Sequence, residues 1–190
     1  MIRAFIAIEL NNKETIENIT LFSSRIKKNQ GKLKIVEPQN LHLTLKFLGN
    51  IPEAQAPKIY SELRRNINAH FFQGKTFDFA LQGVGQFNKY SVIWIKLVGD
   101  IPFLQNIKNS IENLLYENLN IARDRRVQFK PHLTIGRMKR DKINYKSFGT
   151  LKKLINDNRK MDFGVFSISE VKLKKSVLTP KGPVYSDLVY

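Results

Sequence analysis

The stretch NLHLTLKFLG, residues 40–49, alternates polar and apolar side chains over its first seven positions. Alternation with a period of two predicts a half-buried β-strand, because successive side chains of a strand point to opposite faces. His42, Thr44 and Lys46 would share one face, and the leucines would be buried on the other. The stretch therefore predicts a strand that presents a histidine and a threonine together on its open face.

A second stretch, PHLTIGR at residues 131–137, places His132 and Thr134 in the same relation. Two of the chain's three histidines thus share one four-residue context, 90 positions apart (132 − 42). The elements predicted around them also repeat in one order, namely strand, helix, histidine strand, helix and strand. The first copy is predicted at 2–8, 12–29, 40–49, 53–68 and 77–87, and the second at 92–98, 102–119, 131–137, 147–158 and 164–178.

This order of elements predicts an α+β fold that is bilobal, with two pseudo-two-fold-related lobes of antiparallel sheet and flanking helices. Residues 1–190 would form a single two-lobed domain produced by an internal duplication. Pseudo-two-fold packing would bring the two histidine strands together, so we expect the active-site cleft between the lobes. Side chains match poorly outside the two motifs, so the prediction depends on the order of the elements.

The chain is strongly basic, since 32 lysines and arginines exceed 16 aspartates and glutamates and give a net charge of +16. A field of this sign attracts polyanions such as nucleic acids, although a lysine-rich surface also serves solubility alone. The absence of cysteine excludes disulfides and thiolate metal sites. No signal-like segment begins the chain, and no apolar run approaches the ~18 residues of a membrane span. We therefore expect a cytoplasmic protein that does not bind membranes.

Two histidines that face one another across a cleft suit an in-line displacement at phosphorus. One imidazole must be neutral to accept a proton from the attacking oxygen, and the other must be protonated to donate one to the leaving oxygen. A reference pKa near 6.5 allows both forms to exist near neutral pH. The threonine hydroxyls would bind the phosphate oxygens. This chemistry requires neither a metal nor another cofactor.

The two motifs, together with RAFIAI at residues 3–8 and LTPKGPVY at residues 178–185, resemble the signature of the two-histidine (2H) phosphoesterase superfamily. The nearest branch is the RNA 2′,3′-cyclic phosphodiesterase family, also called the 2′-5′ RNA ligase family. The resemblance covers nearly the whole chain. A single His-x-Thr is a weak signal, whereas the pair with its Phe-Leu-Gly and Pro-His contexts is specific.

The resemblance implies a role for each residue of the motifs. His42 would be the proton donor to the leaving O3′, and His132 would be the proton acceptor that activates water, so that the product carries a 2′-phosphate. Thr44, Thr134 and Arg137 would bind the phosphate. The residues alone do not distinguish the acid from the base, so that assignment belongs to the resemblance.

Two basic residues raise further questions about the phosphate site. Strict alternation places Arg137 on the face opposite His132, so Arg137 reaches the cleft only if the strand bends or ends at Gly136, as glycine permits. Lys46 shares the face of His42 and would supplement the phosphate contacts, with a solvated lysine as the alternative.

A basic run surrounds the second motif and is a candidate for following an RNA backbone, with a solvated loop as the alternative. Its members are Arg123, Arg125, Arg126, Lys130, Arg137, Lys139, Arg140 and Lys142. Phe129 and Tyr90 are candidates for stacking on a terminal base, although each also suits the core. His70 has no matching motif and is expected at a helix end.

We therefore expect an enzyme, a phosphoric diester hydrolase that converts the terminal 2′,3′-cyclic phosphate of RNA to a 2′-phosphate. Its partner would be RNA with that end, and it would act as a monomer without a metal. The same groups, run in reverse, would allow weak ATP-independent 2′-5′ ligation. The alternatives are a non-catalytic module that binds RNA ends, and a phosphodiesterase acting on small cyclic nucleotides or on an ADP-ribose cyclic phosphate.

Overall fold

The computed structural model describes residues 1–125, 129–180 and 182–190 of the chain. This part of the chain forms the predicted α+β fold around one curled antiparallel sheet. The strands are β1 (Ile2–Glu9), β2 (Lys34–Ile35), β3 (His42–Ile51), β4 (Phe77–Phe87), β5 (Val92–Val98), β6 (His132–Arg137), β7 (Asp162–Ile168), β8 (Lys172–Thr179) and β9 (Gly182–Asp187).

Four α-helices flank the sheet within the described ranges. They are α1 (Lys13–Asn29), α2 (Ala56–Glu62), α3 (Ile101–Leu119) and α4 (Phe148–Asp157). The helix α2 continues directly as a π-helix, Leu63–Phe72, which extends it beyond the predicted end. Asn12 begins α1 as its N-cap, because its side-chain oxygen accepts a hydrogen bond from the backbone N–H of Thr15 at 3.0 Å.

The two histidine strands lie at the centre of the sheet, whose order is β7-β4-β5-β6-β3-β1-β8-β9, with β2 paired to β6. β3 and β6 meet at one pair, Leu43 with Leu133. We call the strands on one side of this junction (β3, β1, β8 and β9) the β1 half, and those on the other side (β6, β5, β4 and β7) the β5 half. These halves lie on either side of the histidine strands, as expected of the two predicted lobes, but their elements differ from those predicted.

The junction between the halves opens immediately beyond the leucine pair. The end of β6 pairs with β2 instead of β3, through Arg137 with Lys34 and Gly136 with Ile35. β3 and β6 therefore diverge, and a groove forms between them on the polar face of the sheet. The leucines point to the opposite face, where they join the buried core.

The halves exchange elements, which corrects one expectation. The predicted strand 164–178 is two strands, β7 and β8, and these lie in opposite halves of the sheet. The early strand β4 lies in the β5 half, and the late strands β8 and β9 lie in the β1 half. α1 and α4 pack against the β5 half, and α2 and α3 against the β1 half. Neither half is thus one continuous segment, and the internal duplication stays a prediction.

The core lies between the helices and the apolar face of the sheet. Ile19, Phe22 and Ile26 on one face of α1 are buried, and the ring of Phe22 packs edge-on against Phe163 of β7 with a centroid distance of 5.4 Å. This spacing of apolar residues is the helical periodicity that predicted α1. None of the helices in the described part of the chain is long and apolar enough to cross a membrane.

Candidate active site

Both histidine strands contain a β-bulge at the same position relative to the motif. The pairing of β3 with β1 passes over Leu45, and the pairing of β6 with β5 passes over Ile135. Each of these residues is the third after its histidine. A bulge adds one residue to its strand, so the side chains that follow it change faces. This explains why strict alternation fails beyond each motif.

Four side chains converge on the groove beside the junction, and we call His42, Thr44, His132 and Thr134 the tetrad. The antiparallel leucine pair at the junction places His42 opposite Thr134 and Thr44 opposite His132. All four are half-buried and lie on the face opposite the leucines. Diagonal neighbours across antiparallel strands are about 7–8 Å apart, and the register makes His42 and His132 such a pair.

The two histidines have the same backbone restraint. Nδ1 of His42 lies 2.6 Å from the carbonyl oxygen of Asn40, and Nδ1 of His132 lies 2.6 Å from that of Lys130. A carbonyl oxygen only accepts hydrogen bonds, so Nδ1 carries the proton and donates it in each ring. Nε2 is therefore the nitrogen that gains or loses a proton during a reaction.

The surroundings of His42 favour its neutral form. Its ring packs against Phe5 and Tyr185, with centroid distances of 5.1 and 5.4 Å. Burial lowers the pKa of His42 to about 4, and the nearby charges of Lys174 and Arg137 act in the same direction. An anionic phosphate at the tetrad would oppose these effects and raise this pKa.

A charge network that includes the buried Lys174 lies beside His42. Glu9 pairs with His42 across β1 and β3, and its carboxylate accepts hydrogen bonds from Lys174 and, at 2.8 Å, from Lys172. Asp187 accepts from both lysines, at 2.5 and 3.1 Å. Because each lysine is shared by two carboxylates, the network fixes the ends of β1, β8 and β9 against the histidine strand.

His132 lies against a different aromatic pair. Phe87 packs edge-on with a centroid distance of 5.0 Å, and Trp94 is 6.1 Å away. Trp94 lies flat over Gly85 of the adjacent strand, where a Cβ atom would come within 2.2 Å of the indole. The glycine at position 85 therefore makes room for the ring that supports His132.

The bulge in β6 brings Arg137 to the open face. The bend that the sequence required at Gly136 is present, because the extra residue, Ile135, immediately precedes it. Arg137 is exposed and lines the groove with His132 and Thr134. Gly136 packs closely, since a Cβ atom there would lie 3.2 Å from the side chain of Leu33.

The bulge in β3 has the opposite consequence for Lys46, and the placement expected for this residue is wrong. Lys46 is turned into the interior, where only 2% of it is exposed. It forms an ion pair with Glu112, and its Nζ donates a hydrogen bond to the carbonyl oxygen of Ala122 at 2.8 Å. Lys46 therefore neither faces the tetrad nor remains solvated.

Phe47 occupies the position that alternation assigned to Lys46, so its exposure was not predicted. It is 56% exposed and lines the groove next to Thr44. Phe47 is the fifth residue after His42, as Arg137 is the fifth after His132. The sequence indicated a bend at Gly136 in the second motif. An equivalent bend in the first motif would have predicted that Phe47 is exposed.

The resulting space, which we call the central groove, has a volume of about 390 Å³. Its lining combines three members of the tetrad with aromatic and charged side chains. The lining residues include Thr44, Phe47, Phe87, Lys108, Asp124, Phe129, Lys130, His132, Thr134 and Arg137. Three cations and one carboxylate are among them, which suits an anionic ligand with an aromatic base.

The loop after α3 is fastened beside the central groove by buried charges. Glu112 accepts hydrogen bonds from Lys108 at 2.7 Å and from the backbone N–H of Asp124 at 3.0 Å, in addition to Lys46. Burial alone would raise the pKa of Glu112, but these bonds hold it below its usual value. The beginning of the basic run is therefore held in place, whereas Arg126 lies outside the described residues.

The remaining candidates from the sequence lie in different places. Phe129 lines the central groove, whereas Tyr90 packs against Phe148 with a centroid distance of 5.1 Å. His70 lies in the last turn of the π-helix and packs against Phe71. The structure thus brings together both histidines, both threonines and Arg137, and it separates Lys46, Tyr90 and His70 from them.

Comparison with known proteins identifies the family. Residues 4–186 match the family described as the AKAP7 2′5′ RNA ligase-like domain. The chain belongs to this family. The recognition of a 2H phosphoesterase from the two motifs is therefore confirmed, and so is the expectation of an enzyme of the cyclic phosphodiesterase class.

Relatives match over almost their full length. A Methanocaldococcus jannaschii protein named RNA 2′,3′-cyclic phosphodiesterase is 36% identical over 187 residues, 96% of each chain. One of the same name from Archaeoglobus fulgidus is 34% identical, over 98% of this chain and 97% of its own. A Thermus thermophilus crystal structure superposes with a TM-score of 0.75 at 24% identity, over 98% of this chain and 95% of its own. The crystal structure of E. coli LigT complexed with 3′-AMP superposes with a TM-score of 0.73 at 20% sequence identity, over 99% of this chain and 95% of its own. Both structures support the fold.

Proposed function

We propose that the protein hydrolyses the terminal 2′,3′-cyclic phosphate of RNA to a 2′-phosphate, using the two histidines as acid and base. The main support is the geometry of the tetrad, in which two equally restrained imidazoles are diagonal neighbours across the junction of the histidine strands. The names of the relatives that share the whole chain agree with this activity.

The reaction would proceed by in-line displacement. Nε2 of His132 accepts a proton from water as the water oxygen bonds to phosphorus. Nε2 of His42 donates a proton to O3′ as the P–O3′ bond breaks, which leaves a 2′-phosphate and a 3′-hydroxyl. Each proton transfer of this kind contributes roughly 10²–10⁴ in rate. The assignment of His42 as the donor follows the family resemblance.

The phosphate would be held by neutral and charged donors during the reaction. The hydroxyls of Thr44 and Thr134 donate hydrogen bonds to the non-bridging oxygens, and Arg137 compensates the charge that develops on them. The anion also raises the pKa of His42, so that binding of the substrate prepares the proton donor. Neither step uses a metal ion, which stays a prediction of the proposal.

The terminal nucleoside would lie in the central groove beside the tetrad. Phe47 presents an exposed ring there, and stacking of a base on an aromatic side chain is worth about 1–3 kcal/mol. The cations around the groove suit the RNA backbone. The reverse reaction would join a 5′-hydroxyl to the cyclic phosphate, and abundant water would keep this ligation weak.

An assay on defined RNA ends tests the proposal. An oligonucleotide with a terminal 2′,3′-cyclic phosphate, incubated with the protein in EDTA, should yield only the 2′-phosphate. Unchanged ends after prolonged incubation would instead support a binding module without catalysis. A cyclic phosphate of ADP-ribose, tested in parallel, should be the poorer substrate. If it were preferred, the substrate would be a small nucleotide and not RNA.

A further inference from the structure

A second groove begins at the other end of the tetrad. It has a volume of about 430 Å³ and lies between β9 and the segment that contains β2. We call it the Tyr185 groove. Its walls include Ile35, Val36, Asn40, Arg137, Val184 and Tyr185. This volume is within the range of small-ligand sites and is similar to that of the central groove.

The Tyr185 groove is continuous with the candidate active site. Arg137 lines both grooves, and the ring of Tyr185 packs edge-on against His42 with a centroid distance of 5.4 Å. Arg137 is also close enough to lower the pKa of His42 and to oppose the rise that burial causes in the pKa of Tyr185. The second groove therefore opens directly beside one of the two catalytic histidines.

The antiparallel register fixes the direction in which the two grooves lie. His132 and Phe47 lie toward one end of the tetrad, and His42 and Arg137 lie toward the other. The central groove reaches Phe47 at the first end, and the Tyr185 groove begins beside Arg137 and Tyr185 at the second. An RNA chain whose last phosphate occupies the tetrad therefore passes Arg137 when it enters the Tyr185 groove.

The chemistry of the groove suits a nucleoside. Val36 and Val184 provide apolar contacts, the ring of Tyr185 provides an aromatic surface, and the amide of Asn40 offers both a donor and an acceptor. Arg137 at the entrance provides positive charge for a phosphodiester. Glu37 is exposed at the rim and is the carboxylate found among the described lining residues.

We propose that the Tyr185 groove binds the second nucleoside of the substrate, the one joined by a phosphodiester to the terminal nucleoside. This inference rests on the proposed function and specifies its substrate as an oligonucleotide. The continuity of the groove with the tetrad and the cation at the entrance favour this occupant over an unrelated ligand.

Adenosine 2′,3′-cyclic phosphate and the dinucleotide ApA with a terminal 2′,3′-cyclic phosphate provide the test. The wild-type protein should hydrolyse the dinucleotide with a kcat/KM roughly tenfold higher, which corresponds to one additional base contact. Equal values for the two substrates would overturn the proposal while leaving the proposed function intact. If neither is hydrolysed, the proposed function fails as well.

Substitutions that block the Tyr185 groove test whether the preference for the dinucleotide arises there. Val184→Trp fills the groove and should lower kcat/KM for the dinucleotide about tenfold, with less than a twofold change for the mononucleotide. Val184→Glu repels a phosphodiester without filling the space and should act in the same direction. Val165→Trp is the matched control. Val165 is also an exposed strand valine (41% exposed, compared with 56% for Val184), but it lies in the β5 half.

Two results with these variants would contradict the proposed occupant. An equal loss on both substrates would mean that the groove holds the terminal nucleoside or that the substitutions disturb His42. A selective loss of joining to a 5′-hydroxyl oligonucleotide, with dinucleotide hydrolysis unchanged, would mean that the groove holds the attacking strand.

Discussion

His42 and His132 are held by the same kind of hydrogen bond and differ in their surroundings. Each donates from Nδ1 to the carbonyl oxygen two residues before it, so each presents Nε2 to the groove. His42 lies close to Lys174 and Arg137, and burial lowers its pKa in the free protein to about 4. The low pKa of His42 gives the proposed proton donor a signature in pH-dependent kinetics.

The pH dependence of turnover should reveal the role of His42. A proton donor loses activity as the pH rises through its pKa, and kcat/KM reports the free enzyme whereas kcat reports the complex. Because bound phosphate raises the pKa of His42 above about 4, the alkaline limb of kcat should lie at higher pH than that of kcat/KM. Initial rates from pH 4 to 9 provide the measurement. An acid limb of kcat/KM near pH 4 would instead make His42 the base.

Gly85 should be required for the position of His132. In Gly85→Ala the new Cβ atom pushes Trp94 toward His132, because the present separation from the indole would be only 2.2 Å. We expect kcat to fall at least tenfold, and the free energy of unfolding to fall by about 1–3 kcal/mol, as for other overpacked sites. Fluorescence of Trp94, the single tryptophan, should also change.

Gly149→Ala is the control for this substitution, since nothing lies within 4 Å of a Cβ atom at position 149. It should keep wild-type kcat. Retention of full activity by Gly85→Ala would show that the packing of Trp94 does not determine where His132 lies.

At the scale of the elements, the two bulges decide which side chains reach the groove. The alternating pattern correctly placed the histidine and threonine of each motif on one face of a strand, since these residues precede the bulges. It failed at Lys46 and Phe47, because an extra residue in a strand leaves no mark in composition or periodicity. Gly136 gave a hint in β6, and the equivalent residue of β3, Lys46, gave none.

Lys46 should act on stability and not on phosphate binding. Lys46→Met removes one of the cations that compensate the buried Glu112, so the free energy of unfolding should fall by about 1–3 kcal/mol. Lys153→Met removes an exposed ion pair with Asp157 and should change stability by less than about 1 kcal/mol. Urea denaturation compares the two. If Lys46→Met lowered kcat/KM without changing the free energy of unfolding, Lys46 would contribute to phosphate binding after all.

At the scale of the whole molecule, the exchange of elements makes the two halves interdependent. The order of elements along the chain predicted the antiparallel sheet and two lobes. It did not show that α1 would pack against the β5 half or that β8 would return to the β1 half, because such crossings depend on long-range packing. The groove at the junction therefore exists only when both halves are folded.

Unfolding should therefore be a single transition. Trp94 reports on the β5 half, and far-UV circular dichroism reports on all helices and strands, so their thermal or urea midpoints should coincide. Two separated transitions would mean that the halves fold independently despite the shared strands and helices.

The net charge of +16 should appear in RNA binding. Each phosphate neutralised by the protein releases counterions, so the affinity for an RNA end should fall linearly on a logarithmic salt scale. Fluorescence anisotropy between 50 and 300 mM salt measures the slope, roughly −0.7 per phosphate contact for single strands. If the affinity did not change with salt, the basic surface would not contribute to RNA binding.

In the proposed reaction two imidazoles act on one phosphorus atom, and a comparison of single and double histidine variants is the sharpest test of this arrangement. His42→Ala and His132→Ala should each lower kcat on the cyclic-phosphate substrate at least a hundredfold, with RNA affinity nearly unchanged. Because the groups act as a unit, the double variant should lose little more than either single variant. A single variant with a tenth of wild-type activity, or losses that simply multiply in the double variant, would contradict the account.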